Sequence, residues 1–235
     1  MKVEIFSDVV CPWCYIGHHR LQQAVRLFEG DVEVAHRPFQ LDPDGVSTGE
    51  PLLRALERKF GGAGQVAQMT ARVAGVAAED GLDLRFDRAL QAGTFEAHRL
   101  ISLAERAGRG AAMAERLFRA HFTDGLDVGD PGTLAGLAAE TGVEDTGKGA
   151  EQVRADLARA HALGVRSVPL FLFEEKYAVS GAQPVETLVG ALREVEARTA
   201  QEKATQEKAT QEKATQEKAT QGKAGEGCDD DACAV

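Results

Sequence analysis

The chain has 235 residues and a formal net charge of −10, from 37 acidic and 27 basic side chains. Basic residues form no run along the sequence, so we expect no nucleic-acid partner. No apolar stretch approaches the ~20 residues that cross a bilayer, so we expect no membrane partner either. Composition therefore leaves a globular protein whose apolar residues are concentrated in residues 1–199.

Four cysteines occur as two close pairs, Cys11 with Cys14 and Cys228 with Cys233. The first apolar segment follows directly on Met1, which predicts no secretory leader and a cytoplasmic location. In that compartment disulfides are usually transient and catalytic rather than structural. The cysteine usage therefore favours thiol chemistry over structural disulfides.

The first forty residues predict a strand, a helix and a second strand. Residues 3–6, which are apolar except for Glu4, predict the first strand, and the spacing of apolar residues from Trp13 to Phe28 predicts a helix that begins at Cys11. Pro12 fits the first helical turn, where its missing N–H leaves no bond unmade. Residues 32–37 predict the second strand, so we expect a parallel pair with a right-handed crossover.

Residues 41–150 show helical periodicity without a strand pattern, and they predict an all-helical insertion. The insertion would separate the first three elements from a second α/β segment. The predicted helices span residues 50–60, 63–80, 86–92, 94–107, 110–122 and 130–141.

The α/β pattern resumes at Glu151, where a helix is predicted that ends at Gly164. Residues 169–173 and 177–180 predict two strands of a hairpin, and Pro184 begins a last helix. The predicted buried stripe of the helix before the hairpin consists of Val153, Leu157, Ala160 and Leu163.

The order of these elements is that of an α/β thioredoxin fold with an inserted all-helical domain. We expect residues 1–40 and 151–199 to form the thioredoxin-like domain and residues 41–150 to form the insertion. Residues 200–235 would be a C-terminal low-complexity tail, because residues 201–220 are four copies of Gln-Glu-Lys-Ala-Thr without a large apolar side chain. The tail is either a solvated helix or a disordered spacer.

Cys11 and Cys14 are the candidate redox pair. A cysteine at the start of a helix lies beside unpaired backbone N–H groups and the positive end of the helix dipole. These would stabilise a thiolate at Cys11, the nucleophile of disulfide exchange, and Cys14 would resolve the mixed disulfide. Cys-x-x-Cys beside a βαβ unit is typical of redox sites. The alternative is zinc bound by Cys14 and His18, which is weaker because a structural zinc site needs four ligands.

Ser167-Val168-Pro169 lies where the third strand begins. In the thioredoxin arrangement a cis proline at this point faces the cysteines, so we expect a cis Val168–Pro169 bond. The backbone of Val168 would then pair with an extended substrate segment. The alternative is a trans proline that only begins a strand. We also expect Pro12 and Trp13 to position the substrate, with Trp13 forming an apolar rim.

Asp8 lies three residues before Cys11 and has two candidate roles. It would either cap a turn or relay a proton for Cys14. A charged carboxylate this close would also disfavour a thiolate at Cys11 and oppose the effect of the helix.

Five histidines near these elements are not expected to be catalytic. His18 and His19 are predicted on the outer face of the first helix or at the border of the site. His98 and His121 would lie in helices of the insertion and line a groove over the cysteines. His161 is predicted on a helix surface.

Several stretches carry a family resemblance: Ser7-Asp-Val-Val-Cys-Pro-Trp-Cys-Tyr-Ile-Gly, Ala97-His-Arg-Leu-Ile, Arg116-Leu-Phe-Arg-Ala-His-Phe, Gly164-Val-Arg-Ser-Val-Pro and Val179-Ser-Gly-Ala-Gln-Pro. Together they resemble the FrnE-type branch of the DsbA-like thiol-disulfide oxidoreductases, over about residues 1–199. The resemblance implies a thioredoxin fold with inserted helices, a redox pair at Cys11 and Cys14, and a cis proline at Pro169. It also implies a protein disulfide oxidoreductase or isomerase that acts on thiol- or disulfide-containing proteins.

No metal or organic cofactor is expected for this chemistry, and glutathione is a candidate thiol partner. Related enzymes on the same scaffold are similar in fold but typically keep a serine where this chain has Cys11. They are glutathione-dependent 2-hydroxychromene-2-carboxylate isomerase and kappa-class glutathione transferase. Both cysteines together favour disulfide exchange, and glutathione-dependent isomerisation or transfer of small aromatic molecules is the alternative function.

Cys228 and Cys233 lie outside the resemblance. They are predicted to be an auxiliary redox pair on an arm that could return to the first pair, since twenty helical residues span about 30 Å. Acidic residues between them would make them poorer nucleophiles. The alternatives are an inert tail and a four-thiolate metal site shared with Cys11 and Cys14.

Overall fold

A computed structural model describes the backbone of residues 1–223 and the side chains of residues 1–211. The chain divides into two compact units, Met1–Leu192 and Arg193–Val235. The first unit holds the sheet and the first cysteine pair. The predicted auxiliary pair, Cys228 and Cys233, lies outside the described residues.

A four-stranded mixed sheet forms the centre of the first unit, in the order β2-β1-β3-β4. Strand β1 pairs parallel with β2 and antiparallel with β3, and β3 pairs antiparallel with β4. Helix α1, Pro12–Leu27, connects the two parallel strands. The predicted thioredoxin fold is confirmed by this topology. The strands are β1 Lys2–Ser7, β2 Glu33–Pro38, β3 Leu170–Phe173 and β4 Tyr177–Ser180.

Strand β1 is buried on both faces, as is usual for a central strand that carries helices on each side. Val3, Ile5 and Phe6 are fully buried. Glu4 is buried with them, and its carboxylate accepts hydrogen bonds of 2.6 Å from Arg37 and from Arg159. Burial raises the pKa of Glu4, but the two guanidinium groups outweigh it and hold the pKa below its usual value. The pair of arginines therefore lets a charged residue occupy the central strand.

The insertion between β2 and β3 is helical, as predicted. One turn of π-helix extends the end of α5 where the sequence predicted a continuous α-helix. The elements are α2 Leu52–Phe60, α3 Ala63–Glu79, α4 Phe95–Arg106, α5 Gly110–Arg119, the π-turn Ala120–Asp124, α6 Pro131–Thr141 and α7 Ala150–Ala162.

The helix predicted at residues 86–92 is wrong. The segment forms turns, and its backbone pairs with the residues before α2: Leu52 N–H donates to the Ala89 carbonyl at 2.8 Å, and Gln91 N–H donates to the Glu50 carbonyl at 2.8 Å. Leu90 forms an isolated bridge with Pro51. Seven residues are too few to sustain a helix without tertiary support, so these long-range bonds determine the conformation.

Two residues predicted among or beside buried stripes are exposed. Leu163 is 51% exposed because α7 ends at Ala162 and Gly164 turns the chain with φ of +73°. Leu27, the last residue of α1, is 61% exposed. In both cases the helix ends where its neighbours no longer cover it.

Helix α8, Val185–Lys223, continues through the repeats, so the helical form of the tail is the one observed up to Lys223. The repeat side chains at positions 201–211 are exposed. Within residues 1–223, no helix has both the length and the apolar content required to cross a membrane.

Candidate redox site

Cys11 caps the N-terminus of α1, with φ of −94° and ψ of 114°, and Pro12 occupies the first turn as predicted. The N–H of Cys11 donates to the Asp8 carbonyl at 3.0 Å, which closes the turn between β1 and α1. Its carbonyl accepts from the N–H groups of Cys14 and Tyr15, at 3.0 and 3.2 Å. This geometry fixes the first cysteine at the helix start and places the second one turn further on.

Both thiols are free and buried. Cys11 is 4% exposed and Cys14 is fully buried. Burial raises the pKa of Cys14 well above its usual value, and the adjacent Cys11 sulfur and the Asp8 carboxylate raise it further. The backbone N–H of Asp8 acts in the opposite direction, more weakly than burial. Cys14 is therefore held as a thiol, whereas Cys11 is the one of the two that reaches the surface.

The Val168–Pro169 peptide bond is cis, as predicted. The carbonyl oxygen of Val168 lies 4.0 Å from the Cys11 sulfur, so the structure brings these two residues together across 157 positions of sequence. Pro169 packs against Gly17 of α1, where an added Cβ would lie 2.8 Å from the proline Cγ. The absence of a side chain at Gly17 thus lets α1 and the proline loop approach each other.

Pro12 and Trp13 are partly exposed beside the pair, and Trp13 packs against the buried core. Val168 is also half-buried and contacts the same core cluster. These positions are compatible with the predicted rim, whose contact with substrate remains a prediction.

Asp8 is fully buried and holds elements together. One carboxylate oxygen accepts the Leu41 N–H at 2.7 Å, and the other lies 3.3 Å from Nε2 of His98 on α4. The same nitrogen lies 3.0 Å from the Phe39 carbonyl oxygen. Asp8 therefore joins the start of the redox helix to the insertion.

His18 is buried, so the prediction of an outer position is wrong for this residue. Its Nδ1 lies 3.2 Å from Nε2 of His36, whose Nδ1 lies 2.7 Å from a Glu105 oxygen. Burial, and secondarily His36 and His19, lower the pKa of His18 well below its usual value. The spacing of four residues from Cys14 is the signal that could have placed His18 on the buried face of α1.

The imidazole of His18 is therefore engaged with His36 rather than with Cys14, the partner it would need in a zinc site. Within the described residues, no group of three or more His, Cys, Asp or Glu side chains is arranged to hold a metal ion.

His121 lies on the π-turn and is fully buried. Neither of its ring nitrogens has a hydrogen-bond partner among the described residues. Its ring packs edge-to-face on Phe122, with centroids 4.5 Å apart. Burial lowers its pKa to about 4, although Asp8 and Asp127 act in the opposite direction. His161, in contrast, is exposed on α7 as predicted.

Aromatic side chains of the insertion cover the redox helix, a feature that the sequence interpretation missed. Tyr15 stacks on Phe118, with centroids 5.2 Å apart, and its hydroxyl donates to Glu115 at 3.0 Å. The ring of Phe122 packs against those of Tyr15 and Phe86, with centroids 6.3 and 5.8 Å apart. The spacing of Phe118 and Phe122 by four residues is the available signal, because it places both rings on one helix face.

Comparison with known proteins identifies the same architecture. The sequence pattern of the DSBA-like thioredoxin domain matches residues 2–193. The structure of a probable DsbA oxidoreductase from Streptomyces coelicolor is 36% identical, with a TM-score of 0.75, and the match covers 83% of this chain and 89% of that one. An uncharacterised protein of Bacillus subtilis, YwbO, is 24% identical over 61% of this chain and 68% of its own length.

More distant structures share the fold. The cytosolic disulfide reductase DsbM from Pseudomonas aeruginosa is 23% identical, with a TM-score of 0.60, over 85% of this chain and all of that one. A 2-hydroxychromene-2-carboxylate isomerase is 14% identical, also with a TM-score of 0.60, over 86% of this chain and 98% of that one. The family pattern covers most of the first unit and includes both cysteines and the cis proline, and the chain belongs to the DSBA-like thioredoxin domain family.

Proposed function

We propose that the protein is a thiol-disulfide oxidoreductase or isomerase that exchanges disulfides with protein substrates, with Cys11 as the nucleophile and Cys14 as the resolving thiol. One observation carries the proposal: Cys11 caps α1 next to a cis proline, 4.0 Å from the Val168 carbonyl, while its partner Cys14 is fully buried. Only the first cysteine of the pair is placed to meet a second molecule. We further propose that no metal or organic cofactor takes part.

In the reducing direction, the Cys11 thiolate attacks a substrate disulfide. One sulfur–sulfur bond forms, the substrate bond breaks, and the substrate leaves as a thiolate. Cys14 then loses its proton and attacks the Cys11 sulfur, which closes the Cys11–Cys14 disulfide and releases the second substrate thiolate. The raised pKa of Cys14 implies that this second step requires a proton acceptor. We assign Asp8 the role of this proton acceptor, because it is fully buried and its charge raises the pKa of Cys14.

Substrate positioning is assigned to the rim of the site. A substrate segment that runs past Val168 would hydrogen-bond to its backbone, as strands do at a sheet edge. Pro169 keeps α1 and this loop in contact through Gly17. Pro12 and Trp13 would then contact the side chains that flank the substrate sulfur.

A second function is glutathione-dependent isomerisation or transfer on small aromatic molecules. The observation that favours it is the 4% exposure of Cys11 beneath the insertion, which suits a small thiol better than a folded protein. Neighbours in fold include an isomerase of this type and a structure of DsbM with GSH. Under this function glutathione would bind at Cys11 and activity would survive the loss of Cys14.

Three finer assignments are also proposals. We place the protein in the FrnE-type branch of its family on the motifs around Cys11 and Pro169. We place it in the cytoplasm, where the direction of exchange depends on its reduction potential relative to the glutathione pool. We assign Cys228 and Cys233 an auxiliary redox role, either with Cys11 and Cys14 or with another molecule.

Insulin-disulfide reduction and reactivation of scrambled ribonuclease test the proposal. The full chain is compared with Cys11→Ser, with Cys14→Ser and with Cys228→Ser/Cys233→Ser. We expect Cys11→Ser to abolish reduction and the tail variant to show a partial loss. Wild-type protein without activity in both assays would contradict protein-disulfide exchange. Glutathione-dependent turnover that persists in Cys14→Ser would instead support the second function.

A further inference from the structure

A buried contact connects the redox helix to the insertion through Asp8 and His98. Asp8 is fully buried and His98 is 3% exposed. Nε2 of His98 lies 3.3 Å from an Asp8 oxygen and 3.0 Å from the Phe39 carbonyl oxygen. A carbonyl oxygen only accepts hydrogen bonds, so this geometry assigns the ring hydrogen to Nε2 and leaves Nδ1 as the basic nitrogen.

His98 also lines a partly enclosed cavity of about 100 Å³, and Cys14 is not among the residues that line it. Ser7, Ser102, Gln152 and Asp156 provide polar wall groups, and the volume is enough for several water molecules. Cys14 itself is fully buried and has no contact with solvent. The cavity is a polar space next to His98, and His98 contacts Asp8.

We propose that His98 carries a proton from this cavity to Asp8, which passes it to Cys14 when the Cys11–Cys14 disulfide is reduced. The inference rests on the proposed function, since it concerns the leaving group of the same exchange. Because His98 acts through Asp8 and does not touch the sulfur, it is a positioning residue for the proton rather than a catalytic residue.

The step balances as follows. A thiolate of the reductant attacks the Cys11 sulfur, the Cys11–Cys14 bond breaks, and Cys14 leaves as a thiolate with the electron pair. Cys14 then takes a proton from the Asp8 carboxyl group. Asp8 recovers it from Nε2 of His98, and Nδ1 takes up a proton from water in the cavity. In the oxidising direction of the pair, the same transfers run in reverse.

Other charged groups face this path from each neighbouring element. His36 and Arg37 on β2, Glu105 and Arg106 on α4, and Asp156 on α7 line the cavity. Glu105 is bound to His36. Burial raises the pKa of Glu105, but the contacts with His36 outweigh it and hold the pKa below its usual value. On the other side, His121 of the π-turn is electrostatically linked to Asp8. None of these has a hydrogen bond to Asp8 among the contacts described, which distinguishes His98 from them.

The test uses the full chain with Cys228→Ser and Cys233→Ser, so that only the first pair reacts. The oxidised protein is mixed rapidly with reduced glutathione, and reduction is followed by the fluorescence of Trp13, the single tryptophan. Acid-quenched samples analysed by mass identify the Cys11–glutathione adduct. Rate constants are expressed per glutathione thiolate from pH 5.5 to 9, which removes the titration of the reductant itself.

For the unmodified site we expect the rate constant per thiolate to rise as the pH falls, because the proton that Cys14 takes up is supplied from water in the cavity. His98→Gln keeps an amide donor toward Phe39 but cannot transfer a proton. It should be about tenfold slower at pH 6 and equal to the unmodified site at pH 9. His36→Gln, which alters another histidine of the same cavity, should retain the unmodified profile. His98→Asn serves as a second variant if the glutamine variant does not fold.

A double-mutant comparison with Asp8→Asn separates transfer from packing. If His98 acts through Asp8, adding His98→Gln to Asp8→Asn should slow the reaction no further. A His98→Gln profile identical to the unmodified one, a slowing that is equal at every pH, or additive effects with Asp8→Asn would overturn the inference. Failure of the unmodified protein to form any Cys11 adduct would instead refute the proposed function.

Discussion

At Cys14, burial and neighbouring negative charge act in the same direction and hold the side chain as a thiol. The proposed division of work between the two cysteines thus rests on their different surroundings, although the two residues are chemically identical. Of the two residues, Cys11 is 4% exposed and Cys14 is fully buried. Access and protonation together therefore favour the proposed order of attack, in which Cys11 reacts first.

The first prediction concerns this division. Cys14→Ser treated with glutathione disulfide should accumulate a stable adduct at Cys11, because the thiol that would displace glutathione is missing. Cys11→Ser should form little adduct, since Cys14 is fully buried and its pKa is raised. Intact-mass measurement of both variants, with Cys228 and Cys233 changed to serine, gives the answer. Equal labelling of the two variants would contradict the assignment.

The second prediction concerns His121, whose pKa is lowered to about 4 from 6.5. The unfolded chain binds the proton more readily than the folded one. The contribution of neutral His121 to the free energy of unfolding is therefore fully present above about pH 6.5. It is lost as the pH decreases toward 4, by roughly 3 kcal/mol in all. His121→Met should remove this part of the dependence. We compare the free energy of unfolding of the variant with that of the native protein at each pH. Between pH 7.5 and pH 5 this difference should shift by about 2 kcal/mol in favour of the variant.

Urea unfolding at both pH values measures the effect of His121→Met, with His161→Met as the control at an exposed histidine. His18 contributes to acid sensitivity in the same direction and is unchanged in all three proteins. Parallel pH dependence in the native protein and in His121→Met would contradict the prediction.

At the scale of elements, the contact between α1 and the cis-proline loop depends on one missing side chain. Gly17→Ala would place a Cβ 2.8 Å from the Pro169 Cγ and 3.2 Å from the Phe171 ring. We expect it to cost about 1–3 kcal/mol of stability and to reduce insulin reduction, because the loop must move away from Cys11.

Gly75→Ala is the matched control for that substitution. Gly75 lies within α3 with nothing within 4 Å of an added Cβ, so alanine should stabilise the protein by up to about 1 kcal/mol without affecting activity. Urea unfolding and the insulin assay are applied to both variants. A Gly17→Ala protein with native stability and activity would show that the close approach is not required.

Local pattern was sufficient for most elements and for the redox pair. Cys11 at the helix start and Pro12 in the first turn could be predicted from residues adjacent in sequence, whereas the cis bond at Pro169 required the order of the elements along the whole chain. The contact between His36 and Glu105 could not, since 69 positions separate them. The helix predicted at residues 86–92 failed for a related reason. Tertiary hydrogen bonds with the segment before α2 overrode a short helical pattern.

For the whole molecule, the position of the insertion over α1 limits what can reach Cys11, which is 4% exposed. Iodoacetamide should alkylate Cys11 in the reduced native protein far faster than a maleimide attached to a long polymer. In the native protein, the ratio of the iodoacetamide rate to the maleimide rate should be about tenfold or more above the same ratio in urea. Proteins with Cys228→Ser and Cys233→Ser report only on the first pair. Ratios that are equal in native and unfolded protein would contradict a size limit.

Strand β1 begins at the second residue of the chain, yet one of its edges pairs with Leu170–Phe173. During synthesis the cysteines and the first two strands leave the ribosome roughly ten to thirty seconds before that partner, at ordinary rates of elongation. Until then the nascent chain has an unpaired edge at its central strand, and Cys11 lacks the Val168 carbonyl that lies 4.0 Å from its sulfur in the folded protein. A domain of this connectivity is thus open to cross-linking by other cysteines while it is being made, and the free edge of β1 is paired only when translation of the hairpin is complete.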